Sequence, residues 1–152
     1  MPGTKRGADA EMIVKATTVQ RTGNILVVDY EPTIADLLIE ILTEAGYIAY
    51  SMPPGAPALA AIARYMPALL LLDIRRPAID GAALIAQVRE VAPATMPIVV
   101  LTTAPRAIAP LIVPESIELL AKPFDLDDLL VCVARHVRPA QAVDQRLASR
   151  TA

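Results

Sequence analysis

Residues 68–77 read Ala-Leu-Leu-Leu-Leu-Asp73-Ile-Arg-Arg-Pro, an apolar run that ends on a carboxylate. A run this short between prolines predicts a buried parallel strand, because a strand covered on both faces is apolar throughout and the run is too short for a helix. Asp73 then lies at the carboxyl end of the strand, where open α/β sheets bind their ligands. The plainer alternative is that Asp73 only caps a turn.

Four further apolar runs are spaced along the chain as strands of the same sheet would be. They cover residues 24–29, 47–51, 97–101 and 117–121. Strands that alternate with helices at these lengths imply right-handed crossovers and a parallel sheet. Three polar residues stand at the ends of these runs: Asp29, Thr102 and Lys122. Because the carboxyl ends of parallel strands share one edge, we expect all three to lie beside Asp73.

The helices are predicted from apolar residues at helical spacing and from their start signals. The expected core-facing sets are Ile34, Leu37, Leu38, Ile41 and Leu42; Leu59, Ile62, Ala63 and Met66; Leu84, Ile85, Val88 and Val91; and Leu126, Leu129, Leu130, Val133 and Val137. Asp80 and Asp125 are the expected N-caps of the last two of these helices, because a short acidic side chain accepts from free backbone N–H groups.

The segment between the fourth and fifth strands departs from the regular alternation. Pro105, Pro110 and Pro114 interrupt every possible crossover helix there. An interior proline costs about 3 kcal/mol, because it removes a donor and clashes with a preceding carbonyl. We therefore expect no helix longer than about two turns in residues 103–115.

Composition excludes several classes of protein. The formal net charge of −2 provides no basic surface for direct binding of nucleic acid. The single cysteine excludes an internal disulfide and a cysteine-rich zinc site, and favours a reducing cytoplasm. Although 55 % of the residues are hydrophobic, no run approaches the roughly 20 residues that span a bilayer. We therefore expect a cytoplasmic protein that binds neither nucleic acid nor membrane.

A length of 152 residues suits one domain with ends to spare. We assign residues 24–138 to this domain, residues 1–23 to a loosely ordered leader, and residues 139–152 to a tail or an extension of the last helix. An enzyme acting on external substrates is disfavoured, because the chain has no Gly-rich phosphate loop and only one histidine for a catalytic triad.

The polar groups expected at the sheet edge suit phosphoryl chemistry. Carboxylates bind a hard cation such as Mg²⁺, while a hydroxyl and an ammonium group hold phosphoryl oxygens. A carboxylate can also attack phosphorus and form an aspartyl phosphate. The cation is needed because the incoming group and the acids are all negative.

Four motifs in order resemble the receiver domain of two-component response regulators. They are Ile-Leu-Val-Val-Asp29, Leu-Leu-Asp73-Ile-Arg-Arg-Pro77-Ala-Ile-Asp80-Gly81, Val-Leu-Thr102 and Ala-Lys122-Pro123-Phe124. The resemblance covers residues 24–138. It implies an α/β, flavodoxin-like fold with a doubly wound, five-stranded parallel sheet in the order 2-1-3-4-5, here with the fourth helix shortened or lost.

The same resemblance implies a role for each candidate site residue. Asp73 matches the aspartate that accepts the phosphoryl group, Thr102 the switch hydroxyl and Lys122 the phosphate-contacting lysine. Asp29 matches the first acid of the metal-binding pair, and the backbone carbonyl of Arg75 matches a further ligand of Mg²⁺. The implied partner is a histidine kinase or a phosphotransfer protein, with a downstream protein partner that the sequence does not name and a homodimer left open.

Two positions depart from the family pattern. The second acid of the pair is Tyr30, and a neutral phenol with a pKa near 10 does not replace a carboxylate as a ligand of Mg²⁺, so we expect a weakened metal site. Leu119 replaces the aromatic switch residue. The leading hypothesis is a receiver that accepts a phosphoryl group on Asp73. The alternative is a degenerate receiver, a protein-interaction module that works without phosphorylation.

Overall fold

The computed structural model describes residues 23–111 and 116–139, and its centre is a parallel β-sheet. The strands are β1 (Asn24–Val28), β2 (Ile48–Met52), β3 (Leu69–Asp73), β4 (Ile98–Thr102) and β5 (Ile117–Ala121). Their order across the sheet is β2-β1-β3-β4-β5, and each neighbouring pair is parallel. The predicted flavodoxin-like topology is therefore confirmed, with strand bounds that differ from the predicted ones by a residue at most.

Helices cover the sheet on both faces. They are α1 (Pro32–Glu44), α2 (Ala56–Tyr65), α3 (Pro77–Val91), α4 (Pro105–Ile108) and α5 (Leu126–Ala134). Buried residues of α1 and α5 pack on one face, and those of α2, α3 and α4 pack on the other. Successive strand residues point to opposite faces, so Leu69 and Leu71 join the first of these cores while Leu70 and Leu72 join the second. This is why the central strand is apolar throughout.

The buried faces of α1 and α2 differ from the predicted ones. Ala35, Leu38 and Leu42 are the buried residues of α1, whereas the expected Ile34 and Leu37 are 37 % and 50 % exposed. In α2 the buried residues are Ala58, Ala61 and Ile62, and the expected Met66 lies exposed beyond the helix end. In both helices an alanine faces the sheet, because a small side chain permits a close approach of helix and strand.

The predicted N-cap at Asp80 is wrong. Helix α3 begins at Pro77, its N-cap is Arg76, and Asp80 lies within the first turn. Proline is favoured at the first helical position, since its missing N–H group would have no partner there. The Asp80 carboxylate instead accepts from the guanidinium of Arg76 at 3.1 Å. The expected N-cap at Asp125 is confirmed, because its carboxylate accepts from the Asp128 N–H at 2.8 Å.

The proline-rich segment forms only short helical pieces, as predicted. Helix α4 has four residues and is followed by a single 3₁₀ turn at Ala109–Leu111. Residues 112–115 lie outside the described part of the chain, as do residues 1–22 of the predicted leader and residues 140–152 of the predicted tail. Within the described residues, every helix is too short or too polar to cross a lipid bilayer.

Candidate functional site

Four polar side chains meet at the carboxyl edge of the sheet, as the strand ends predicted. Asp73 ends the central strand β3, and Thr102 ends β4 beside it. Val28 is paired with Leu72, so the next residues, Asp29 and Asp73, follow at neighbouring strand ends. Asp29, Asp73 and Thr102 are only 6 %, 8 % and 0 % exposed, the buried polar side chains of the described core.

Lys122 reaches Asp73 across β4. Its backbone N–H donates to the carbonyl of Thr102 at 2.8 Å, which fixes the residue just beyond β5. From this position its ammonium group contacts Oδ1 of Asp73 as an ion pair. The lysine side chain is 31 % exposed, so one positive charge lies between solvent and a nearly buried carboxylate. A buried carboxylate without such a partner would be strongly destabilising.

Asp29 has one satisfied and one unsatisfied oxygen. Oδ1 accepts from the Glu31 N–H at 2.9 Å, whereas Oδ2 is buried and has no hydrogen-bond partner among the described residues. Burial raises the pKa of the Asp29 carboxyl, and the negative charge of Asp73 adds to the rise, while the Glu31 N–H and Lys122 oppose it. Desolvation is the largest cause of this rise in pKa, ahead of the repulsion between the two acids.

The hydroxyl oxygen of Thr102 accepts a hydrogen bond from its own loop. Its Oγ1 accepts from the N–H of Ala104 at 3.0 Å, a local bond of the kind that threonine makes where a strand turns into a loop. The structure thus brings Thr102 to the predicted edge and engages its hydroxyl with the backbone. Its role toward a phosphoryl group stays a prediction.

Tyr30 and Arg75 form a contact that sequence reasoning missed. The guanidinium carbon of Arg75 lies 5.1 Å from the centroid of the Tyr30 ring, a cation–π stack. The two residues follow neighbouring strand ends, so the stack lies at the rim of the site. No local sequence pattern predicts this contact, because it joins loops from distant parts of the chain. The sequence supplied only the strand order that makes those loops neighbours.

The residues of this edge fit Mg²⁺, but they supply few oxygen donors. The orphaned Oδ2 of Asp29 and the carboxylate of Asp73 are hard oxygen donors, and Mg²⁺ is held in many sites by one or two carboxylates together with water and phosphate oxygens. Tyr30 adds no charge, and within the described residues no cluster of three acidic, histidine or cysteine side chains suits a metal ion. We therefore expect the donor set to bind Mg²⁺ weakly.

The single cysteine and the single histidine of the chain lie away from this edge. Cys132 is buried, and burial raises the pKa of its thiol to about 12, with the Glu118 carboxylate adding to the rise, so it is an unreactive packing residue. His136 lies just beyond α5 and contacts the edge strand β5. Its Nε2 lies 2.8 Å from Oε1 of Glu118, and Arg135 contacts the other oxygen of the same carboxylate. This cluster ties α5 to the edge strand β5.

Comparison with known proteins gives consistent matches. Residues 25–134 match the family described as response regulator receiver domain. The DNA-binding transcriptional regulator NtrC of Escherichia coli K12 is 32 % identical over 125 residues, which cover 81 % of this chain and 26 % of that protein. Sporulation initiation phosphotransferase F of Bacillus subtilis is 30 % identical over 118 residues, covering 74 % of this chain and 92 % of that protein.

A solved structure described as a transiently phosphorylated switch in bacterial signal transduction superposes with a TM-score of 0.66 at 32 % identity. The alignment covers 77 % of this chain and 95 % of that one. This chain thus spans about a quarter of the length of NtrC and nearly the whole of the smaller relatives.

Proposed function

This chain belongs to the response regulator receiver domain family, whose members are signalling modules of two-component systems rather than enzymes, and on that premise we propose that Asp73 accepts a phosphoryl group. The observation that carries the proposal is the pairing of Asp73 with Lys122 at the carboxyl end of the central strand. Beside this pair lies Asp29, whose Oδ2 is buried without a partner. A nucleophile, a counter-charge and a free cation ligand are the parts that phosphoryl acceptance requires.

The transfer forms one bond and breaks one. An oxygen of the Asp73 carboxylate attacks phosphorus, and the bond from phosphorus to the donor atom breaks with its electron pair. That donor atom is a histidine nitrogen in a kinase or phosphotransfer protein, or the acetate oxygen in acetyl phosphate. The ammonium group of Lys122, which already contacts Asp73, offsets negative charge on the phosphoryl oxygens.

Receiver domains typically bind Mg²⁺, and in this chain Asp29, Asp73 and the backbone carbonyl of Arg75 would hold it. When bound, the cation neutralises charge between the acids and the incoming group. Thr102 ends the strand between Asp73 and Lys122, and we assign its hydroxyl to a phosphoryl oxygen, because Oγ1 accepts from the Ala104 N–H while its own O–H remains a donor.

The family implies histidine kinases or phosphotransfer proteins as partners. A phosphotransferase is among the proteins that this chain resembles over nearly their whole length. We assign the reaction to the cytoplasm and the partner class to these phosphohistidine donors. The domain assignment of residues 24–138 remains part of the proposal, with residues 1–23 and 139–152 flanking it.

A second candidate function is favoured by one observation, the tyrosine next to Asp29. Tyr30 is 37 % exposed and stacked on Arg75, so a neutral aromatic group stands where a metal-binding acid is expected. A receiver that binds Mg²⁺ too weakly to be phosphorylated could still present its fold to a protein partner. In that case the partner would bind equally well before and after treatment with a phosphoryl donor.

The deciding experiment is phosphorylation by acetyl phosphate in the presence of Mg²⁺. Intact-mass spectrometry should show one added phosphoryl group on the wild type and none on Asp73→Asn. Asp80→Asn is the matched control, because Asp80 is an acid on the adjoining helix whose carboxylate accepts from Arg76. If the wild type stays unlabelled at high Mg²⁺, the hypothesis of phosphoryl acceptance is wrong. The interaction module is then the remaining candidate function.

A further inference from the structure

A stacked pair of side chains joins the two loops that follow β1 and β3, just beyond the acids. Tyr30 follows Asp29 beyond β1, and Arg75 lies two residues beyond Asp73 at the end of β3. These strands are neighbours in the sheet, and the guanidinium carbon lies 5.1 Å from the ring centroid. The stack therefore holds a permanent positive charge at the rim of the site, in the place where the chain lacks a second metal-binding acid.

The N–H groups of this guanidinium remain available to an anion. A cation–π stack uses the flat face of the group, whereas its five N–H donors point outward in the plane. Within the described residues Arg75 forms no ion pair, while its neighbour Arg76 is paired with Asp80 at 3.1 Å. The ring of Tyr30 thus positions the guanidinium group of Arg75 without neutralising its charge.

The charges of the site explain why this arginine matters. Asp29 and Asp73 carry two negative charges, and Lys122 with Arg75 carries two positive ones. Phosphorylation converts the carboxylate of Asp73 into an acyl phosphate whose total charge is about −1.5 to −2, of which Lys122 alone offsets only part. Guanidinium groups bind phosphoryl oxygens through two parallel N–H bonds, a geometry that a lysine cannot offer.

We infer that Arg75, positioned by the ring of Tyr30, binds the phosphoryl group accepted by Asp73 and supplies positive charge that a weakly held Mg²⁺ supplies only in part. The inference rests on the proposed function. Arg75 forms no covalent bond and moves no proton in the transfer; it binds oxygens of the group in transit. Tyr30 is a positioning residue, since it acts only through Arg75.

The first experiment measures how much Mg²⁺ the site needs. Labelling by acetyl phosphate is followed by intact mass at constant ionic strength, from EDTA up to saturating Mg²⁺. Arg75→Ala should label about 10-fold more slowly than the wild type at the lowest Mg²⁺, with the gap closing as Mg²⁺ rises. Arg76→Ala is the matched control, because it removes an adjacent arginine that is already paired, and it should follow the wild type throughout.

Two further variants distinguish the positioning role of the Tyr30 ring from the charge of Arg75. Tyr30→Phe keeps the aromatic face, so its dependence on Mg²⁺ should match that of the wild type. Tyr30→Ala removes the face and should shift the dependence toward that of Arg75→Ala. A merely structural role for the stack would lower stability in both the ring-deleting and arginine-deleting variants without changing how labelling responds to Mg²⁺.

The second experiment does not depend on phosphorylation. Binding of inorganic phosphate in EDTA is measured from the NMR shifts of the Thr102 and Lys122 amides. Arg75→Ala should weaken this binding by about 10-fold, and Arg76→Ala should leave it unchanged. If the wild type is never labelled, the proposed function fails and this measurement still decides the inference. Equal phosphate affinity in the wild type and Arg75→Ala overturns the inference, whatever the labelling shows.

Discussion

Asp29 and Tyr30 are neighbours in sequence, but one is buried with an unpaired oxygen and the other lies exposed under a guanidinium group. Both residues lie beyond β1, which ends at Val28, and the backbone bends at Tyr30. The first residue therefore faces the carboxylate of Asp73 and the second faces the rim. A substitution of Asp29 tests the buried negative charge of the site, whereas a substitution of Tyr30 tests the residue that stands where a second acid is expected.

Replacing Tyr30 by aspartate should strengthen the metal site. The new carboxylate would add charge beside Asp29, and we expect Mg²⁺ affinity to rise about 10-fold because hard cations select carboxylate oxygens. Phosphorylation of Asp73 by acetyl phosphate should rise with it. Magnesium titration and intact mass measure the two quantities, with Tyr30→Phe as the uncharged control. A folded Tyr30→Asp protein with unchanged Mg²⁺ affinity would show that Tyr30 does not limit the site.

Asp29→Asn should increase stability at neutral pH while lowering Mg²⁺ affinity. The amide oxygen can still accept from the Glu31 N–H, but the cost of a buried negative charge disappears, so we expect about 1 kcal/mol of added stability. Urea unfolding near pH 7 measures it, with the exposed Asp36→Asn as the control.

The sign of the pH dependence follows from the direction of the pKa shift. The folded pKa of Asp29 is raised, so the folded state holds its proton more firmly than the unfolded state. Its destabilising contribution is absent below the ordinary value of 3.8 and grows as the pH rises through the folded pKa. The advantage of Asp29→Asn should therefore vanish on acidification. An advantage that persists unchanged in acid would contradict this account.

At the scale of elements, strands were easier to predict than helix faces. A strand covered on both sides carries an unbroken apolar run, which Leu69, Leu70, Leu71 and Leu72 provide. Helix α1 has apolar residues around much of its surface, so periodicity alone did not reveal that Ala35 faces the core and Leu37 faces solvent. The site followed from strand ends, while the stack of Arg75 on Tyr30 depended on the paths of two loops.

The contribution of the N-cap of α5 to stability can be tested by mutation. Asp125 and Asp128 exchange hydrogen bonds between side chain and backbone, which satisfies the N–H groups of both residues at the start of the helix. Asp125→Ala should lower the free energy of unfolding by about 1 kcal/mol. Urea denaturation measures the loss, and Asp127→Ala, in the same first turn, is the control. Equal losses in the two variants would mean that general charge at the helix start matters rather than the cap.

The sheet separates two hydrophobic cores, one on each of its faces. Among the described residues, the buried members of both cores lie between Ile25 and Val137. The family match ends at residue 134, but the first core continues to Val137, which is fully buried and whose N–H donates to the carbonyl of Val133 at 3.0 Å. Packing within the described residues thus continues past the family match as far as Val137.

Shortening the chain at each end tests this boundary. A chain of residues 23–139 should unfold with the same free energy as the full chain to within about 0.5 kcal/mol, because both cores are retained. A chain of residues 23–134 loses Val137 and should be less stable by at least about 1.5 kcal/mol, the low end for burying such a side chain. Val137→Ala in the longer chain separates the loss of the side chain from the loss of the backbone around it. If residues 23–139 prove much less stable than the full chain, the leader or the tail contributes to the fold, and the domain is larger than its two cores indicate.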